Sequence, residues 1–300
     1  MRTAGSIQPQ TDLNVKRWID EGRMTGPKMH VTSPFIEREG TMVPELGFIA
    51  TSEDVSRLVN YWADKGVTSF KVYQNISRDD LKICVEEAHK RGLKVTGHLC
   101  SITYEEASNI GIDNLEHGFF ASSDLVENKE DDLCDPFSRN RSRLAASVDN
   151  EKMAQLIDHL IKKNTAITTT PVVFEPYTDR EIVPGGGFEA LAPQIQESVK
   201  ANYDRRVGRD ESSIKLFEKD LIWLKQFYDK GGLLVAGTDP TGAGRTVAGY
   251  ANLRTLEILF EAEFPLEDAV KICTLNGAQL LEVDKDTGSI EVGKKADLLL

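Results

Sequence analysis

Cysteine is sparse and unpatterned in this chain. The four cysteines, Cys84, Cys100, Cys134 and Cys273, form no CxxC pair. Cys84 and Cys273 fall within helical patterns beside apolar residues. The set reads as small buried hydrophobes in a reduced compartment, which favours a cytoplasmic setting. No apolar run approaches the roughly 18 residues of a membrane-spanning helix, and MRTAGSIQPQ lacks the pattern of a secretory leader. A basic surplus is also missing: 36 Lys and Arg stand against 48 Asp and Glu, a net charge of −12. A field of that sign repels polyanions and argues against nucleic-acid or anionic-membrane partners. The PGGG at Pro184–Gly187 has no strand before it and no GK[ST] after it, so it is a flexible break and not a phosphate loop.

What remains is the composition of an ordinary globular protein, 40% apolar and 28% charged over 300 residues. One (β/α)8 barrel takes about 250 residues, so a single barrel fits, as would two ordinary domains. Short β-like runs alternate with longer helical patterns, the mark of a parallel α/β architecture. The runs are Lys28–Thr32, Thr68–Tyr73, Lys94–His98, Asn114–His117, Ala166–Val173 and Leu233–Asp239. Between them the pattern predicts helices from Ser52 to Lys65, Asp79 to Arg91, Thr103 to Ile110 and Glu151 to Lys163, with Ser52 and Ser77 as N-caps. Two long helices follow, Phe188–Val207 and Ser212–Lys230, and two more near Asn252–Glu263 and Leu266–Thr274. The stretch Phe119–Asp149 is too long for a plain connection and reads as a lid or surface loop. Alternation alone does not separate an open sheet from a barrel.

Four polar residues stand where strands end: Lys71 in SFKVY, His98 in KVTGH, His117 in NLEHG and Asp239 in LLVAGTD. Taken singly, each has a structural explanation: a hydrogen-bonded histidine, a solvated lysine, a turn aspartate before Pro240. Four such groups at strand ends of one polarity point to a site, because parallel strands bring their C-terminal edges to one mouth. Imidazole and carboxylate are also the usual ligands of catalytic zinc.

The order Lys, GH, EHG and GTD resembles that of the amidohydrolase superfamily, in particular its imidazolonepropionase-like and prolidase-like branches. NLRTLEIL from Asn252, AVKICTLNGAQLL from Ala269 and GSIEVGKKADLLL from Gly288 resemble further motifs of that family, and GRMTGPKMHVTS from Gly22 resembles its lead into the third strand. The resemblance implies a (β/α)8 TIM-type barrel over residues 1–283 and the start of a return to a small β-sandwich over 284–300. It implies that Lys71, His98, His117 and Asp239 hold one or two divalent metals, most often zinc, with Lys71 carboxylated in many relatives. Asp239 would serve as general base and then acid in hydrolysis of a C–N bond of an amide, peptide-like or cyclic amide substrate. His30, Tyr73 and Arg245 are candidates for substrate contact, Arg245 as a clamp on a carboxylate.

The chain departs from the family in one respect. Its five histidines, His30, His89, His98, His117 and His159, include no His-x-His pair, which relatives carry on their first strand. MRTAGS resembles the end of the second strand. The expectation is therefore an incomplete barrel, lacking strand 1 and most of strand 2, with the ligands of a second metal missing. Two other readings stand beside the hydrolase: a catalytically impaired remnant, and a lyase using a Schiff base on Lys71. The partner expected in each active case is a small molecule; homo-oligomerisation is left open.

Overall fold

The computed structural model describes residues 1–40, 48–182, 186–208, 211–240 and 246–298. The chain divides into two compact units. The first comprises Met1–Glu116, Ala121–Ser142 and Lys162–Thr165; the second comprises His117–Phe120, Arg143–Ile161 and Ala166–Leu300.

The first unit contains α1 (Pro9–Asp20), β1 (Thr32–Ile36), α2 (Ser52–Lys65), β2 (Ser69–Val72), α3 (Arg78–Lys90), β3 (Lys94–Gly97), α4 (Tyr104–Ile110) and β4 (Asn114–Glu116). The strands pair in parallel in that order. Local chemistry sets the helix ends. The Thr51 hydroxyl accepts from Asp54 N–H at the start of α2, Ser77 does the same for Asp80 at α3, and Thr103 for Glu106 at α4. Gly66 closes α2 at φ 95°, a left-handed C-cap that glycine adopts without Cβ strain.

Register sorts the side chains of this sheet. Lys71 faces Thr96 across β2–β3, and Thr96 faces Asn114 across β3–β4. Side chains alternate along a strand, so Ser69, Lys71, Thr96, Asn114 and Glu116 share one face, and Phe70, Val72, Val95 and Leu115 the other. All of them are buried. The second set is the apolar surface on which helices lie, whereas the first is a polar layer that must satisfy itself internally.

The second unit holds α6 (Glu151–Lys162, up to Ile161), β5 (Ala166–Thr169), α7 (Pro171–Phe174), α8 (Pro193–Arg206), α9 (Glu211–Asp229), β6 (Leu234–Ala236), α10 (Tyr250–Glu261), α11 (Leu266–Cys273) and α12 (Leu275–Leu280). Before α6, α5 (Pro136–Ala145) is shared along the chain by the two units. β5 and β6 pair in parallel, with Ile167 opposite Leu234 and Thr169 opposite Ala236.

The parallel α/β expectation is therefore met, and several elements differ in detail. The first strand is Thr32–Ile36, not Lys28–Thr32; its register shifts between Thr32 and Phe35, around Pro34, which has no N–H to give the ladder. The run from Ala166 ends as a strand at Thr169, and Pro171 opens α7, where a missing N–H is no loss. Phe119–Asp149 is not a plain loop, since it contains α5 and a buried segment. Cys100 and Cys134 form a disulfide, so the reading of all four cysteines as unpaired hydrophobes is corrected for these two; only Cys84 and Cys273 are thiols. Residues 281–298 are turns and coil, with no strand among the described ones. Among the described residues no helix is long and apolar enough to cross a membrane.

Candidate active site

In the second unit the structure brings His117 and Asp239 together. His117 follows β4 directly and Asp239 comes shortly after β6. Their Nδ1 and Oδ2 atoms are 3.9 Å apart. Both backbones are left-handed, φ 70° at His117 and 46° at Asp239. Such a conformation is uncommon for a residue with a Cβ and costs on the order of 1 kcal/mol or more. It persists where surrounding contacts over-determine it, which is common at functional positions.

The His117 ring is held from several sides. Its Nδ1 lies 2.8 Å from the Thr170 hydroxyl, Phe174 meets it edge-on at 5.9 Å, and the ring side chain is 8% exposed. The Asp239 carboxylate is 38% exposed, so it combines a polar neighbour with access to solvent. Thr170 is the residue just beyond β5, the N-cap position of α7. Three strand ends of this fold thus supply one histidine, one hydroxyl and one carboxylate.

In the first unit the Nε2 atom of His98 lies 3.2 Å from the Gln74 side-chain amide, and its ring stands edge-on to Tyr73 at 4.9 Å. Tyr73 in turn meets Phe35 at 5.0 Å. The backbone extends this edge: Tyr73 N–H donates to Ile36 and His98 N–H to Val72. Gln74 is tied down behind it. The Glu37 carboxylate accepts the backbone N–H groups of Arg38 and Asn75 and one from Gln74. Glu37 is fully buried, and that burial pushes its pKa up to about 7 against the pull of those three N–H groups.

Lys71 lies on the polar layer of the same unit, where Glu116 collects its neighbours. The Glu116 carboxylate accepts from Arg2 at 2.7 Å and Thr96 at 2.5 Å, takes a longer bond from Asn114 at 3.2 Å, and lies 3.9 Å from the Lys71 ammonium. A buried carboxylate carrying two cationic neighbours and two neutral donors meets the condition for burying charge: pairing plus hydrogen bonds.

The remaining candidates are placed as follows. His30 sits before β1, in an isolated parallel bridge with Arg2. It is thus on the N-terminal side of that strand. Burial, the terminal amine, Lys28, Lys16 and Arg2 all lower its pKa. Tyr73 stands beside His98, as above. Arg245 lies outside the described residues.

Among the described residues no three His, Cys, Asp or Glu side chains gather as a metal group. The donor chemistry nonetheless fits a divalent ion. A metal-binding imidazole ordinarily donates its second N–H to a protein acceptor; at His117 the Thr170 hydroxyl can accept from Nδ1, whereas at His98 the neighbouring Gln74 atom is the amide nitrogen, which donates to Nε2.

Sequence comparison places these features in a family. The amidohydrolase family model matches residues 2–300, and the chain belongs to that family. It is similar to the 5-methylthioadenosine/S-adenosylhomocysteine deaminase of Moorella thermoacetica, 32% identical over 96 residues, which are 30% of this chain and 22% of the relative. It is similar to the imidazolonepropionase of Picrophilus torridus, 57% identical over 35 residues, 12% of this chain and 9% of that protein. In structure it is similar to a Xaa-Pro dipeptidase crystallised with methionine in its active site, with a TM-score of 0.64 at 19% identity, covering 98% of this chain and 67% of the other. The matched segments therefore span less than a quarter of the curated relatives' length.

Proposed function

We propose that this protein is a metal-dependent hydrolase of C–N bonds, taking amide, peptide-like or cyclic amide small molecules. The observation that carries the reading is the His117–Asp239 pair: an oriented imidazole and a partly solvent-accessible carboxylate, 3.9 Å apart at strand ends, both in strained backbone. Family membership supports it, as do relatives whose names describe deamination and dipeptide hydrolysis. The barrel closure, the return to a β-sandwich after residue 283 and a single small-molecule partner belong to the same proposal.

His117 and Asp239 would hold the ion, and the family resemblance extends the role of metal ligand to His98 and Lys71. Zinc is the ion the imidazole and carboxylate donors favour. When bound it would polarise the scissile carbonyl and make water a stronger acid. Asp239 takes the proton of the attacking water as oxygen adds to the carbonyl carbon. It returns that proton to the leaving nitrogen as the C–N bond breaks, so an amide and water give an acid and an amine. Thr170 fixes which nitrogen of His117 is occupied by protein. Tyr73 flanks His98 and would face substrate; Arg245, and less directly His30, complete the proposed contacts.

The test is a panel of dipeptides, N-acyl amino acids and cyclic amides incubated with zinc-loaded protein. Release of amine by the wild type and a loss of about 10²-fold or more in Asp239→Asn would support the reading. Turnover that is indifferent to Asp239→Asn would overturn it.

A further inference from the structure

The buried face of α9 reads Leu216, Phe217, Asp220, Leu221, Trp223, Leu224 and Phe227. An aspartate occupies a position where the helical period calls for a hydrophobe. Asp220 is 4% exposed, and burying a carboxylate without a full set of partners is unfavourable. Its surroundings offset part of that cost, while its Oδ1 stays buried with no hydrogen-bond partner. It accepts the backbone N–H of Phe119, and Arg143 supplies a compensating positive charge. One oxygen lies so near Gly118 that a Cβ added there would come within 2.7 Å of it. Lys219, one residue earlier on the helix, donates to the carbonyls of Arg143, Leu144 and Ala146.

The Phe119 N–H belongs to the turn that begins at His117. His117 and Gly118 are left-handed in succession, φ 70° and 64°. Gly118 N–H donates to Thr168, which fastens the turn to β5. Asp220 fastens its other side. The carboxylate is packed against Gly118 so tightly that any other residue there would displace it, and φ 64° also favours glycine.

We propose that Asp220 is a positioning residue, which by gripping the Gly118–Phe119 backbone holds His117 in its left-handed conformation and aims its imidazole. This deepens the function proposed above and rests on its assignment of His117 to the metal. Asp220 touches neither substrate nor ion and acts through the turn alone.

The test uses Asp220→Ala and Asp220→Asn, with His117→Ala in parallel. Two readouts are taken: hydrogen exchange at the Phe119 amide of the metal-free chain, and zinc affinity by competition with a chromophoric chelator. Asp220→Ala should exchange at Phe119 at least tenfold faster and bind zinc about 10–100-fold more weakly, the usual effect of losing an outer partner of a ligand. Asp220→Asn keeps an oxygen for the Phe119 N–H and should restore zinc affinity to within about threefold of wild type. If exchange quickens while zinc affinity stays put, Asp220 is merely structural and the proposal fails. It fails equally if both variants unfold, or if Asn is as impaired as Ala. If His117→Ala binds zinc like the wild type, it is the metal assignment that fails, and exchange at Phe119 still reports on the grip of Asp220.

Discussion

Thr170 places its hydroxyl 2.8 Å from Nδ1 of His117, and this one contact links the end of β5 to the residue that follows β4. A hydroxyl can donate to Nδ1 or accept from it, and Nε2 is left with a bare lone pair when Nδ1–H donates to Thr170. The residue is on an element the sequence pattern extends as strand, and its role is set by Pro171, which turns the chain there.

Thr170→Val keeps the shape of the side chain and removes the partner. Zinc affinity or turnover should fall about 10–100-fold, while Thr170→Ser should stay near wild type. Chelator competition on both variants checks this. Equal behaviour of Val and Ser would show that the hydroxyl does not orient the ring.

Gln74 places its side-chain amide nitrogen 3.2 Å from Nε2 of His98. Gln74→Leu should weaken zinc binding by a similar factor without lowering the unfolding temperature much, because Gln74 is only partly buried. A Leu variant with unchanged zinc affinity would show that the ring is oriented by Tyr73 alone.

Glu37 makes stability depend on pH. Its folded pKa is about 7, above the ordinary value of 4.5. Between those values the folded chain holds a proton that the unfolded chain has released, so the unfolding free energy declines as pH rises from about 4.5 to 7 and then levels off. The groups flanking this carboxyl include Arg38, itself bound to Asp80. Glu37→Gln should flatten that slope by on the order of 1–3 kcal/mol, read by urea unfolding at pH 5 and pH 7. An unaltered slope in the variant would assign the dependence elsewhere.

Arg254 should be among the most destabilising positions to change. Its guanidinium holds the buried Glu175 with two bonds, at 2.6 and 3.1 Å, and reaches Glu257 and Glu261 as well. Arg254→Met leaves the buried Glu175 carboxylate to Arg180, whose Nη1 lies 3.2 Å from its Oε1, and should cost on the order of 3 kcal/mol. Adding Glu175→Leu should recover much of the loss, since an apolar pair of similar volume replaces a buried ion pair at little net cost. Thermal unfolding of the single and double variants gives the coupling, and additive losses would contradict it.

The strand ends were legible because each apolar run is short and finishes on a group that needs a partner: Lys71, His98, His117 and Asp239. The helix start at Ser77 was legible for an equally local reason, the capping hydroxyl, whereas the cap expected at Ser52 is supplied by Thr51. The partners of the strand-end groups were not legible. Thr170 reads in one dimension as part of the Ala166–Val173 strand and Gln74 as a loop residue, and only the fold brings each to a ring. Glu116 stood inside the EHG motif, but its load of Arg2, Thr96 and Lys71 comes from register across three strands. Pro34 misplaced the first strand because a proline usually marks its end, whereas here a register shift absorbs it. The pairing of Cys100 with Cys134 has no sequence signature at a separation of 34 residues. Asp220 did carry a signal, a lone acid in the apolar stripe of α9, and periodicity alone could have found it.

The central claim is that His117 is a metal ligand working beside Asp239, and the zinc content of the purified chain tests it most directly. After loading with zinc and removal of excess, elemental mass spectrometry should find at least one equivalent in the wild type and a clear deficit in His117→Ala. Zinc retained by His117→Ala at wild-type stoichiometry would contradict that claim.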